Sequence, residues 1–389
     1  MIQYCSQWLR SSLRSLAEFR EGQISALDGL RAIAITLVIA SHSKNDFVYV
    51  GGKQEPAGIF WFLNYTWTGV DLFFVLSGFL IGKILFQEMK QTGTVQVAPF
   101  LLKRGLRIWP LYYFICAVGL LRLMLAHAVP TFTALLPDFL FLTNYFKENL
   151  AYGSWSLAIE EQYYLIASLL ILVFRHQIAR HRTKIPVVLS ILLLLAPMIR
   201  MVVWNHYLQR QVDPFVIEWD ALHNYIFTHY DGLVIGLIFA GVVVLRTPES
   251  SLSPKKLEGW LLGFLAITAG CTYFYRVYFI YSFAAFLYGT AVWHCLTSPL
   301  GRVAKALSWP SFQVLSRLSY GMYLWYRFPL WRIAHFVMAN SIGFPALFQF
   351  LLIFIIDFIC ALLLASFTYV LIERPFLELR SKLYRPASA

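Results

Sequence analysis

The sequence predicts an all-α, polytopic membrane fold of about ten transmembrane helices with both termini cytoplasmic, and three observations carry that expectation. Of the 389 residues, 59% are hydrophobic and only 13% charged, with a mean hydropathy of +0.63; soluble domains carry about 25% charged residues. The apolar runs are long and continuous. Only helices and closed barrels satisfy their backbones in lipid, and barrel strands would show alternating segments of about ten residues. Finally, Lys and Arg alternate in density along the chain. Nineteen fall in segments expected on the cytoplasmic side and five (Lys44, Lys53, Lys147, Arg210, Arg276) outside, which is the positive-inside pattern. The net charge of +12 is therefore topogenic, and no nucleic-acid partner is expected.

Residues 1–23 place Arg10, Arg14 and Arg20 among Trp8, Leu9, Leu13, Leu16 and Phe19, a pattern that predicts an amphipathic helix on the inner surface. A span length of about 20 residues then marks segments near 24–43, 58–87, 100–126, 156–175, 185–205, 225–246, 257–275, 277–297, 312–338 and 345–372. The seventh and eighth are separated only by a turn near Arg276, and the apolar patch 132–146 is too short to cross and is expected at the interface. Residues 24–375 form one membrane domain and 376–389 a cytoplasmic tail. The cysteines (Cys5, Cys116, Cys271, Cys295, Cys360) form neither a disulfide framework nor a close-spaced metal cluster, so no metal is expected.

Ionisable residues inside membrane segments mark pathways or reaction sites, and four clusters stand out. In the first span Arg31 precedes His42 by eleven positions. Eleven helical steps return to within roughly 20° of the starting direction and advance about 16 Å, so both can line one face. Asp46, four residues beyond His42, is placed to accept from its Nδ1–H. In Gly69-Val70-Asp71-Leu72-Phe73-Phe74-Val75-Leu76-Ser77-Gly78-Phe79-Leu80-Ile81-Gly82, small residues permit close helix approach, and Asp71 needs a partner, with Arg31 or His42 the expected choices. Lys103-Arg104-Gly105-Leu106-Arg107 sets two guanidinium groups three positions apart, a compact phosphate site or a plain positive-inside anchor. Ser154-Trp155-Ser156-Leu157-Ala158-Ile159-Glu160-Glu161-Gln162 holds adjacent carboxylates. These point about 100° apart, so one can face a cavity while the other packs beside a basic neighbour. His229-Tyr230-Asp231-Gly232, Arg317 and Arg327 are expected to form buried pairs.

Leu27-Asp28-Gly29-Leu30-Arg31 with His42, then Phe73-Phe74-Val75-Leu76-Ser77-Gly78-Phe79, Arg104-x-x-Arg107, Trp155-Ser156-Leu157-x-x-Glu160-Glu161-Gln162 and the closing Ile372-Glu373-Arg374-Pro375-Phe376 resemble the acyltransferase-3 family, from about residue 22 to Pro375. These are bacterial inner-membrane O-acyltransferases of surface polysaccharides and related acceptors. The resemblance implies that Arg31 and His42 form the Arg-x10-His motif, with His42 essential; that Arg104 and Arg107 contact acyl-CoA phosphates, assisted by Lys103; and that Glu160 is the family's intramembrane glutamate. Asp71 and Glu161 join the expected catalytic set. Trp155, Ser77 and Asp46 join the acceptor-binding set. In Ser319-Tyr320-Gly321-Met322-Tyr323-Leu324-Trp325-Tyr326-Arg327-Phe328-Pro329, Tyr326 and Arg327 stand where relatives usually carry His after the Trp. Many relatives continue into a periplasmic hydrolase-like domain, so the chain resembles the stand-alone form.

The expected activity is transfer of an acyl group, most simply acetyl from acetyl-CoA, to a hydroxyl of a surface polysaccharide such as O-antigen or lipopolysaccharide at the outer face. His42 would serve as general base or acyl carrier, oriented by Glu160, Asp71 or Asp46. The outer loop 205–224 with Asp213, Glu218 and Asp220, beside Trp155, would receive the sugar. The alternatives are a transporter or flippase of a lipid-linked glycan, which would show paired, interrupted repeats not found here, and an acyltransferase of a non-polysaccharide acceptor.

Overall fold

The computed structural model describes residues 11, 15, 16, 24–51, 62–128, 130–146, 149–245, 254–328, 330–341 and 343–383, and among these every regular element is helical. The main helices are α1 (Ser25–Gly51), α2 (Gly69–Thr92), α3 (Val97–Leu125), α4 (Phe132–Phe139), α5 (Trp155–Val173), α6 (Ile185–Gln209), α7 (Asp231–Leu245), α8 (Pro254–Thr297), α9 (Pro310–Trp325), α10 (Leu330–Asn340), α11 (Ala346–Thr368) and α12 (Arg374–Leu383). The expected surface helix over 1–23 and the end of the tail lie outside the described residues, apart from 11, 15 and 16.

All ten apolar segments contain helix, but fewer than ten separate helices of membrane-spanning length result among the described residues. Seven helices among the described residues are long and apolar enough to cross a membrane, which makes this a multi-pass membrane protein. The shortfall has local causes. Helix α8 runs 44 residues, and a straight helix of that length would extend roughly 66 Å, twice the hydrocarbon thickness. It breaks at Tyr275 (φ −135°, ψ 52°), one residue before the expected turn, so the seventh and eighth segments are two arms of one bent helix. The ninth segment divides into α9 and α10, with helix resuming at Leu330 directly after Pro329, which lacks the N–H that a continuous helix requires. The sixth begins late, at Asp231, because residues 225–230 form turns closed by Thr228 N–H to the Tyr225 carbonyl and His229 N–H to the Ile226 carbonyl, after a separate π-helical segment at Ile217–His223.

Helix α7 is apolar on every side and buried almost throughout, the signature of a bundle's core. It lies against α2 at backbone contact distance. A Cβ on Gly78 would overlap the Leu233 carbonyl, and one on Gly236 would overlap the Val75 carbonyl, so the small-residue face of α2 has its counterpart on α7. Helix α6 is the opposite case. Only 17% of its most apolar window is buried, and Val187, Ile191, Leu194, Met198 and Val202 face outward, as a lipid-facing helix requires. In the patch 132–146, Asp138 is buried and its carboxylate accepts from the Leu150 N–H at 3.1 and 3.2 Å, tying α4 to the loop before α5.

Candidate active site

His42 lies on α1 with its Nε2 3.1 Å from the Tyr326 hydroxyl, and the two rings are 4.8 Å apart. Tyr326 follows α9 directly and is buried. Both rings line a cavity of about 270 Å³ whose wall also carries Asn45, Trp67, Trp155, Trp219, His223 and Tyr323. The segment that departs from the family pattern therefore supplies the partner of the imidazole. Asp46 does not: its carboxylate pairs with Arg327 Nη1 at 3.6 Å, because a guanidinium offers it a full charge where a neutral imidazole offers only a dipole. Asp46 is also absent from the lining of this cavity.

A second cavity of about 100 Å³ is lined by Arg31, Ser77, Arg104, Arg107, Glu160 and Tyr164 among others. The Ser77 hydroxyl donates to Glu160 Oε1 at 2.8 Å and the Tyr164 hydroxyl to Oε2 at 2.6 Å. Tyr164 lies one helical turn beyond Glu160, so the two share a face. Arg104 Nη2 donates to the Tyr164 oxygen at 3.3 Å, with its guanidinium carbon 5.0 Å from that ring's centre. Arg31 is in electrostatic range of Glu160, Arg104 and Asp28. Glu160 is thus held among arginines, with both oxygens engaged, and does not line the His42 cavity. The expectation that it orients the imidazole is corrected. Ser77 likewise positions Glu160 in this compartment and does not line the His42 cavity. Val70 and Tyr323 line both cavities, so Arg31 and His42, eleven residues apart on α1, face two adjoining compartments.

The neighbouring acid points elsewhere, as the helical step requires. Glu161 Oε2 accepts from Trp109 Nε1 at 3.2 Å, Arg104 is in electrostatic range, and the residue lines neither cavity. Lys103 is also displaced from the arginine cavity. With Arg104 and Arg380 it lines a separate opening of about 350 Å³.

Asp71 is paired with neither Arg31 nor His42. Its Oδ1 lies 2.9 Å from His229 Nε2, both side chains being fully buried, and His229 Nδ1 lies 2.7 Å from the His223 carbonyl. A carbonyl only accepts, so Nδ1 carries a hydrogen, and one further proton is shared along the Nε2–Asp71 axis. The close contact of α2 with α7 brings these residues together. Beside them Arg200 forks onto Asp231 at 2.8 and 3.2 Å and donates to Ser282 Oγ at 2.5 Å. Asp231 does form a buried pair as expected, but Arg200 was not foreseen. The one signal, a lone arginine in an apolar span, is visible in the sequence. Nor was His223 singled out. It sits outside the spans, in the wall of the His42 cavity, with Nδ1 unpartnered among the described residues. Burial, reinforced by His229 and then His42, holds its imidazole well below the usual range. Trp155 stacks on His229 with ring centres 5.8 Å apart and lies 4.3 Å from His223.

The profile of the acyltransferase-3 family, described as an acyltransferase domain, matches residues 24–369. YrhL of Bacillus subtilis, named as a candidate peptidoglycan O-acetyltransferase, is 28% identical over 90% of this chain and 54% of its own length. The peptidoglycan O-acetyltransferase OatA of Listeria monocytogenes is 25% identical over 81% of this chain and 50% of its own. The O-acetyltransferase OatA of Staphylococcus aureus is 25% identical over 90% and 57%. The chain spans about half the length of the curated relatives it matches. No solved structure matches. With its profile covering nearly all of the helical bundle, the chain belongs to the acyltransferase-3 family.

Proposed function

We propose that this protein is a bacterial inner-membrane O-acyltransferase, moving an acetyl group from cytoplasmic acetyl-CoA to a hydroxyl of an envelope glycan at the outer face, with ten crossings and both termini cytoplasmic. The observation that carries the proposal is the pair of adjoining compartments on α1, one lined by arginines and the other by His42. O-antigen or lipopolysaccharide is one such acceptor. The names of the relatives favour peptidoglycan.

The residues present suit an acyl-CoA. Arg31, Arg104 and Arg107 line one cavity with the single carboxylate of Glu160, and Arg104 Nε is buried without a partner among the described residues. A space of about 100 Å³ takes a slender chain rather than a nucleotide. The phosphates therefore belong with Lys103, Arg104 and Arg380, whose charges suit them. The donor supplies an activated thioester. Glu160 offsets the positive charge of Arg31 and Arg104, and Ser77 and Tyr164 fix its two oxygens. His42 takes the proton of the acceptor hydroxyl, directly or through the Tyr326 hydroxyl on its Nε2. That hydrogen bond favours the general-base role over an acyl-histidine. Trp155 offers its face to the sugar.

The test is CoA release from acetyl-CoA by the purified full chain in detergent, with and without peptidoglycan fragments or O-antigen. Acceptor-dependent release that disappears in His42→Ala is the expected result. No release with any acceptor would favour a transporter, and release independent of every acceptor would mean hydrolysis of the thioester in place of transfer to a glycan.

A further inference from the structure

We propose that the cleft beside Trp155 is a second sugar subsite, so that the acceptor is a linear glycan of at least two rings engaged together; this rests on the reading of the His42 cavity as the place of acyl transfer. The cleft has a volume of about 290 Å³, close to the 270 Å³ of the His42 cavity, and the two share Trp155 and Asn224 as lining residues. One indole and one carboxamide thus form a common wall. A chain entering the His42 cavity has the cleft as its continuation.

The lining identifies the ligand class. Asn144, Asn149 and Asn224 present carboxamides, Asp220 a carboxylate, and Tyr145 and Tyr225 aromatic rings. A carboxamide offers a donor and an acceptor side by side, which matches vicinal hydroxyls. Aromatic faces take the C–H face of a pyranose. Among the described lining residues the charged side chain is Asp220, whose carboxylate accepts from hydroxyl donors.

The site is also built in advance of any ligand. Gln162 Nε2 donates to Asn144 Oδ1 at 2.8 Å and to the Phe141 carbonyl at 2.9 Å, and Asn144 Nδ2 and the Tyr145 hydroxyl each lie 3.4 Å from Gln162 Oε1. The Tyr145 and Tyr225 rings are 5.2 Å apart at 33°. Such fixing lowers the entropy lost on binding. Three consecutive residues of α5 therefore serve three places: Glu160 the arginine cavity, Glu161 Trp109, and Gln162 the cleft.

The experiment measures binding without donor, so its outcome is separate from that of acyl transfer. N-acetylglucosamine, chitobiose and chitotetraose, and the matching glucose, cellobiose and cellotetraose series, are titrated against the purified full chain by intrinsic tryptophan fluorescence. Thermal unfolding confirms that each variant is folded. In at least one series the disaccharide should bind tenfold or more tightly than the monosaccharide. Asn149→Ala and Tyr225→Ala should reduce that advantage to about twofold, while Tyr225→Phe, which keeps the ring, preserves it. Equal affinity across lengths in both series, no binding of any probe, or an advantage that survives Asn149→Ala and Tyr225→Ala would overturn the proposal. A length advantage without acceptor-dependent CoA release would leave the subsite standing and refute acyl transfer.

Discussion

Replacing Tyr326 by phenylalanine removes one hydroxyl, the hydrogen-bond partner of His42 Nε2. A hydrogen bond of this kind is worth about 1 kcal/mol or somewhat more, so Tyr326→Phe should lower kcat by roughly tenfold with the donor KM unchanged; steady-state kinetics at wild-type rate would remove Tyr326 from the mechanism. Arg200 makes a different prediction, because it is fully buried and forks onto Asp231. Arg200→Leu strands that carboxylate and should cost about 3–5 kcal/mol of stability; denaturation in detergent should show that Arg200→Leu with Asp231→Asn recovers part of the loss. For His223 the folded imidazole titrates well below the ordinary 6.5. Below pH 6.5 the unfolded chain therefore binds the extra proton and the folded one does not. Its contribution is full above that pH and is lost as pH falls. His223→Gln should flatten the acid limb of the stability profile, with His42, His229 and Asp71 left as the neighbouring titratable groups. At this scale the sequence displayed Arg31, His42, Arg104, Arg107 and Glu160 but not their partners. Asp71 and His229 are 158 positions apart, and no local pattern links them.

The helices themselves were far more legible, since hydropathy over about 20 residues is a local property. The bend at Tyr275 was legible as well, as the turn expected near Arg276; what the sequence does not display are the division of the ninth segment before Leu330 and the π-helical segment 217–223 that brings His223 to the His42 cavity. The contact of α2 with α7 was half visible. The small residues of α2 were recognised, but Gly232 and Gly236 on the other side gained their meaning only from the structure. A Cβ at position 236 would overlap the Val75 carbonyl and crowd the Phe79 nitrogen. Gly236→Ala should cost about 1–3 kcal/mol as an overpacked contact and lower the midpoint of thermal unfolding in detergent. An unchanged midpoint would mean that the two helices separate at little cost. Because Asp71 and His229 lie across this contact, the same substitution should also reduce activity.

Across the whole molecule, the alternation of Lys and Arg assigns each loop a side, and single cysteines in a chain lacking its five native ones test that assignment. Thr133→Cys, exposed at the start of α4, should react with a membrane-impermeant thiol reagent added to intact spheroplasts, and Lys305→Cys, exposed between α8 and α9, only after lysis. Reaction of both from the same side would invert or abolish the proposed topology. With the sides fixed, the central claim is that one imidazole serves a thioester on one face of the membrane and an alcohol on the other. The most direct measurement uses liposomes containing the protein in one orientation, with radiolabelled acetyl-CoA sealed on the side of Arg104 and peptidoglycan fragments on the side of Trp155. The account predicts labelled glycan in the opposite compartment and none with His42→Ala. Labelled glycan from His42→Ala at the wild-type rate, or product only when both substrates share one side, would contradict it.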